Sequence, residues 1–111
     1  MRRETKKYLY DIQVSIDSIF EFLGKDSSLA QYKSDKLIRR AVERELEIIG
    51  EATNKLLKIE PGINISNARR IVNLRNWVIH AYDNVDDTVI WGVIDKDLPL
   101  LKKQVNILLA E

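Results

Sequence analysis

The sequence predicts an all-α protein, an up-and-down bundle of four or five helices. Three observations carry this. Apolar residues recur at spacings of three and four along most of the chain. Breakers are sparse, 4 Gly and 2 Pro in 111 residues, so the elements should be long. No run shows the apolar–polar alternation and turn chemistry of a strand pair. The length suits a single domain over residues 1–111 and is too short for two.

The elements follow in order. From about Glu4 to Leu23, residues Leu9, Ile12, Ile16, Ile19 and Leu23 form one stripe, and Gly24 suits the position just past a helix end. Ser27 to Lys33 fits a short turn of helix. Asp35 is the N-cap candidate for a second long helix reaching Ile59. That helix carries two stripes side by side. One is Ile38, Val42, Leu46, Ile49 and Leu56; the other is Leu37, Ala41, Ile48 and Ala52. Two stripes imply a broad buried face and a central position. Gly50 costs helix propensity there and would let another helix approach closely.

Pro61 and Gly62 break the chain. Ser66 is the cap candidate for a third helix to about Ala81, with Ile71, Leu74, Val78 and Ala81 on its apolar side. Asp83, Asp86, Asp87 and Thr88 are cap-type residues that open a fourth helix through Val89, Ile90, Val93 and Ile94. A residue preceding proline avoids helical geometry, so Leu98, before Pro99, should mark a kink or break. The last segment carries Leu98, Leu101, Val105 and Leu108.

Composition then narrows the function. Hydrophobic residues are 45% and charged residues 32%, with 18 Lys+Arg against 17 Asp+Glu and a net charge of +1. Bulk charge therefore does not drive the chain onto nucleic acid or membrane, and only a local basic patch would bind a polyanion. Without Cys there is no disulfide, thiolate metal site or Cys nucleophile. One His excludes a multi-His metal site within one chain and puts His80 first among catalytic candidates. No apolar run follows the basic N-terminus, and none approaches the ~18 residues of a membrane span. A cytoplasmic protein without membrane contact is the expectation.

The third helix holds the residues with chemistry. Asn76 and His80 are four apart and nearly align on a helix, whereas Arg75 and His80, five apart, flank a face. If two such helices met across a two-fold axis, Arg75, Asn76 and His80 of both chains would line one groove. The set suits metal-free phosphodiester cleavage. A neutral imidazole can take or give a proton near neutrality, and one His does only one of those jobs at a time. Two chains would supply both. The Arg75 fork matches a phosphate and would stabilise the charge of a pentacoordinate transition state. Asn76 would hold the imidazole or the phosphate. Ser66 to Tyr82 contains Arg69, Arg70 and Arg75 and no acid, so Arg69 and Arg70 are candidate RNA contacts. Taken alone, these residues leave open an RNA-binding or phosphate-handling helical domain.

Other candidates have simpler readings. The acidic run Asp83-Asn84-Val85-Asp86-Asp87 fits no calcium loop and is explained by capping, so no metal site is expected. Glu51 is either a groove acid or a surface charge. Trp77, about 200° around the helix from Arg75, is assigned to packing, as is Trp91.

Arg75-Asn76-x-x-x-His80-x-Tyr82 resembles the motif of HEPN proteins, in particular the HepT toxin branch. Further blocks resemble that branch in the same order: Tyr8-Leu9-x-Asp11-Ile12, the stretch Ala41-Val42-Glu43-Arg44-x-Leu46 through Ala52, Val85-Asp86 before Val89-x-Trp91, and Asp97-Leu98-Pro99-x-Leu101. The segment before the motif helix departs from the branch: Pro61-Gly62-Ile63-Asn64-Ile65-Ser66 lacks a second Pro and a Trp.

The resemblance implies a homodimeric, metal-independent endoribonuclease with a composite site at the dimer cleft, acting as the toxin of a toxin–antitoxin pair. By this carry-over Arg75 and His80 are catalytic and Asn76 supports them. No cofactor is implied, and attack by the ribose 2′-OH would leave 2′,3′-cyclic phosphate ends. The resemblance also implies a partner, a minimal nucleotidyltransferase antitoxin of the MntA type, which places AMP on Tyr82. An anionic nucleotide beside His80 would block an RNA phosphate by volume and repulsion. The alternative is a non-catalytic HEPN interaction module that binds nucleotide and such a transferase.

Overall fold

The spacing of apolar residues requires each long helix to bury one face, and polar contacts between the helices fix their directions. The computed structural model describes the backbone of residues 1–79 and 87–111 and the side chains of 1–74 and 87–111. Helices α1 (Arg3–Leu23), α2 (Leu29–Ser34), α3 (Lys36–Ile59), α4 (Ala68–Ile79), α5 (Asp87–Gly92) and α6 (Leu98–Ala110) follow one another. A π-helical turn, Val93–Asp97, joins α5 to α6 in one continuous run. No strand occurs among the described residues.

Local signals set the ends. Gly24 takes φ +73°, the left-handed region that favours glycine, and its N–H donates to the Phe20 carbonyl at 3.1 Å, closing α1. Ser28 Oγ accepts from the Gln31 N–H at 3.2 Å and opens α2. Asp35 Oδ1 accepts from the Ile38 N–H at 3.1 Å, so it caps α3 as expected.

Pairs of residues across the seams give an alternating topology. Thr5 Oγ1, near the start of α1, donates to Glu60 Oε1, just past the end of α3, at 3.4 Å. Those helices are therefore antiparallel. Gln13 Nε2 donates to Asn106 Oδ1 at 2.6 Å, and Lys102 Nζ meets Asp17 Oδ1 at 2.8 Å, so α6 runs against α1. Ser66 pairs with Gln104 and Arg70 with Asp97, so α4 runs against the C-terminal run. The up-and-down bundle follows, with α2 as a short connector.

The core is the sum of the predicted stripes. Leu9, Ile12, Ile16 and Ile19 of α1 meet Val42, Leu46, Ile49 and Leu56 of α3, all closed to water. Ile71 and Leu74 bring α4 into the same cluster, and Leu98, Leu101, Val105 and Leu108 bring α6. Helix α3 packs against α1, α2 and α4 and is central as expected. Gly50 and Ala52 are buried within it.

Three expectations need correction. The second stripe of α3 is not a continuous buried face: Leu37 is 80% exposed, and Ala41 and Ile48 are half-buried. Leu37 lies in the first turn, where the neighbour is the six-residue α2, too short to cover a second side. Ser66 does not open α4. The helix starts at Ala68, and the Ser66 hydroxyl instead accepts from Gln104 Nε2 at 3.0 Å. The main-chain carbonyl of Asn67 accepts from the Ile71 N–H at 3.0 Å.

Of the kink or break expected at Leu98, the break is absent, and the disturbance takes the form of a π turn. Leu98 is helical, at φ −67° and ψ −41°, and its N–H donates to the Val93 carbonyl five residues back. Pro99 lacks an N–H, and its ring would collide with the carbonyl four residues earlier. The wider π turn accommodates the ring while helical bonding continues.

The core and the exposed stripe should respond differently to truncation. Ile16→Ala should lower unfolding stability by about 2–5 kcal/mol in urea titration, whereas Leu37→Ala should stay within about 0.5 kcal/mol of the parent chain.

Candidate functional site

Helix α4 is fixed to the bundle by its apolar side. Ala68, Ile71 and Leu74 are buried, while Arg69, Arg70 and Asn73 are exposed. The described helix continues through Ile79, so Arg75 and Asn76 occupy helical backbone positions, as their spacing argument requires. Their side chains, with those of Trp77 and Val78, lie outside the described residues. His80, Ala81, Tyr82, Asp83 and Asp86 lie outside them altogether.

The two flanking arginines have different surroundings. Arg69 is exposed beside a surface groove of about 500 Å³, lined also by Pro61, Ile65, Ser66, Asn67 and Arg70. Arg70 is already engaged. Its Nε stands 3.0 Å from Asp97 Oδ2 in the π turn, within ion-pair range though not aligned for a hydrogen bond. Among the described residues, Arg69 is the flanking arginine with no carboxylate in ion-pair range. Glu51 is exposed and pairs with Lys55 at 3.6 Å, which makes it a surface charge.

A second cluster stands where α5 begins, and the sequence reading passed over it. Tyr32 of α2 is almost wholly buried, and its ring lies 5.8 Å from that of Trp91, tilted by 40°. This assigns Trp91 to packing, as expected. The Tyr32 hydroxyl is closed to water and has no hydrogen-bond partner among the described residues. Burial, reinforced by the negative charges of Glu43 and Asp87 and opposed by Arg39, pushes its ionisation well above the ordinary phenol range. Burial also raises Glu43. Arg40 opposes that rise most strongly, Asp87 adds to it, Arg39 opposes it, and Glu47 adds to it. Arg39 also donates to the Lys33 carbonyl at the end of α2. One signal was available: a tyrosine in a short amphipathic turn beside a long helix often lies inward.

Asp97 was legible only as part of a block. It lies four residues before the buried Leu101, so it shares that side of the helix. Its side chain is 14% exposed.

A family model described as Ribonuclease HepT-like matches residues 12–108. The chain is 37% identical over 110 residues to "Putative RNase MJ1380" of Methanocaldococcus jannaschii, covering 96% of this chain and 97% of that protein. It is 38% identical over 106 residues to "Probable ribonuclease HepT" of Thermococcus cleftensis, covering 92% and 93%. It is 33% identical over 107 residues to "Putative RNase TTE0752" of Caldanaerobacter subterraneus subsp. tengcongensis, covering 96% and 95%. No solved structure matches the chain.

The Tyr32 cluster predicts two stability effects. Tyr32→Phe removes a buried hydroxyl with no hydrogen-bond partner among the described residues and should leave the Tm unchanged or raise it. Glu43 holds its proton more tightly folded than unfolded, so it favours folding at acid pH. That contribution turns unfavourable as pH rises through the carboxylate range. Glu43→Gln should therefore raise the Tm at pH 7, with the gain shrinking as pH falls below the carboxylate range, measured by thermal scans across pH.

Proposed function

Because the chain belongs to the HepT-like ribonuclease family, we propose that it is a metal-independent endoribonuclease, the toxin of a toxin–antitoxin pair, acting as a homodimer in the cytoplasm. The observation that carries the reading is a spacing: Arg75 and Asn76 lie in α4, and in the sequence the chain's one His follows five residues after Arg75.

The chemistry then has a defined division of labour. A ribose 2′-oxygen attacks the adjacent phosphorus and the bond from phosphorus to the 5′-oxygen breaks. One His80 takes the 2′-OH proton, and the partner's His80 gives a proton to the leaving 5′-oxygen. Arg75 carries the negative charge that builds on the phosphorane oxygens, and Asn76 orients the imidazole or the phosphate. The product is a 2′,3′-cyclic phosphate. Arg69 contacts the RNA backbone as a point of charge.

Control falls to a minimal nucleotidyltransferase antitoxin. The Tyr82 hydroxyl attacks the α-phosphorus of ATP, receives AMP and releases pyrophosphate. The added anion repels the RNA phosphate from His80.

One observation favours the second reading, a nucleotide- and transferase-binding module without catalysis. Arg70 is engaged by Asp97, which leaves less free positive charge on the described part of α4 for an RNA backbone. Cleavage assays in excess chelator separate the two. The parent protein should cut RNA to cyclic phosphate ends, and His80→Ala and Arg75→Ala should each lose about 10²-fold or more. Equal activity of parent and His80→Ala would overturn the catalytic assignment, and no cleavage at any concentration would favour the binding module. After co-expression with the transferase, mass spectrometry should place AMP on Tyr82 and find none on a Tyr82→Phe chain.

A further inference from the structure

We propose that Asp97 is a positioning residue, which sets the register of α4 against the C-terminal run through its ion pair with Arg70. The proposal rests on the ribonuclease reading above, because α4 carries Arg75 and Asn76 and leads in sequence to His80.

The first ground is the cost of the carboxylate. Asp97 stands among the buried Ile94, Leu98 and Leu101, and its Oδ2 is closed to water. An apolar residue would fill such a place at lower cost. A charge there needs a cation nearby, and Arg70 Nε at 3.0 Å supplies it. The pair holds only when one alignment of α4 brings Arg70 opposite Asp97, so it selects that alignment.

The second ground is how the chain places Asp97. Pro99 widens the preceding turn, and the Leu98 N–H reaches back to Val93. A π turn rotates each residue by less than an α turn does, so Asp97 faces a different direction than it would on an unbroken α-helix. The Asp97-Leu98-Pro99 block thus acts as one device: the proline makes the turn, and the turn aims the carboxylate at α4.

The third ground is the seam itself. Helix α4 packs closely on α3. Among the described residues, its polar contacts to the C-terminal run are Arg70 with Asp97, and Gln104 with Ser66 just ahead of the helix. Arg70 is five residues before Arg75, about 7.5 Å along the axis. A slip of one residue would shift α4 by about 1.5 Å and turn it by about 100°. Displacements on the order of 1 Å at a reacting phosphate cost about 10²-fold in rate. The pair itself adds little to stability, because the Arg70 side chain is 59% exposed. Its effect should therefore appear in the turnover rate more than in the Tm.

The test is a kinetic double-mutant cycle on the full chain. Asp97→Asn, Arg70→Gln and the double variant are compared with the parent for kcat and KM on one RNA, with amide hydrogen exchange measured on Ile71 to Leu74. Each single variant should lower kcat about tenfold with KM within about twofold, and the double variant should be no worse than either. Exchange at those α4 amides should rise about two- to fivefold in Asp97→Asn. Parent-like kcat in Asp97→Asn would overturn the proposal. A raised KM in Arg70→Gln with a lowered KM in Asp97→Asn would also overturn it, and would make Arg70 an RNA contact restrained by Asp97. If Asp97→Asn does not fold, Arg70→Gln, at an exposed position, carries the same readouts. A parent protein that cuts no RNA would remove the ribonuclease reading, while unchanged exchange in Asp97→Asn would separately remove the strut.

Discussion

The fold depends on the need to bury α3 along its length. Val42, Leu46, Ile49 and Leu56 are closed to water, and they reach that state because α1 covers one flank and α4 another. The other choices follow from this. The short link through α2 turns the chain back so that α1 and α3 lie antiparallel. The break at Pro61 and Gly62 returns α4 along α3. The C-terminal run then closes on α1, where Gln13 meets Asn106 and Asp17 meets Lys102. Among the described residues, α4 shares the apolar cluster with the C-terminal run through Ile71 and Leu74, and polar contacts join the two at Arg70 with Asp97 and at Ser66 with Gln104.

Charge is distributed to the same end. The net charge of +1 averages a stretch from Ser66 to Tyr82 with three arginines and no acid against the acidic residues that follow. The structure separates two of those arginines by their surroundings. Arg69 faces solvent beside a groove, and Arg70 faces a carboxylate oxygen closed to water. At the start of α5, Asp87 meets Glu43 and the buried Tyr32 phenol, with Arg39 and Arg40 moderating the negative charge. Before the motif, Arg70 ties the chain to Asp97; after it, the Asp87 charge adds to that of Glu43 instead of offsetting it.

Most of the fold was legible because α-helical spacing is a local property. Leu9 to Ile19 and Leu98 to Leu108 are buried where their periodicity put them, and Asp35 caps α3 as its side chain suggested. The misses are tertiary. Whether Leu37 is covered depends on the length of α2, and whether Ser66 caps α4 depends on Gln104 from a distant helix. Pro99 signalled a disturbance, but sequence spacing could not distinguish a break from a π turn. The site was legible as residue types: Arg75, Asn76, His80 and Tyr82 stand in a spacing with chemical sense and a family likeness. The role of Asp97 was not, because a carboxylate between apolar neighbours gains its meaning only from the arginine opposite.

One imidazole per chain makes the catalytic account depend on assembly. A single His80 can accept the 2′-OH proton or donate one to the leaving oxygen, and a shared site lets two chains do both. Mixing parent and His80→Ala chains under conditions of subunit exchange measures this directly. If both histidines are needed, activity should follow the square of the parent fraction and fall to about a quarter in an equal mixture. A linear fall, to about half in that mixture, would mean that each chain works alone and would contradict the shared site.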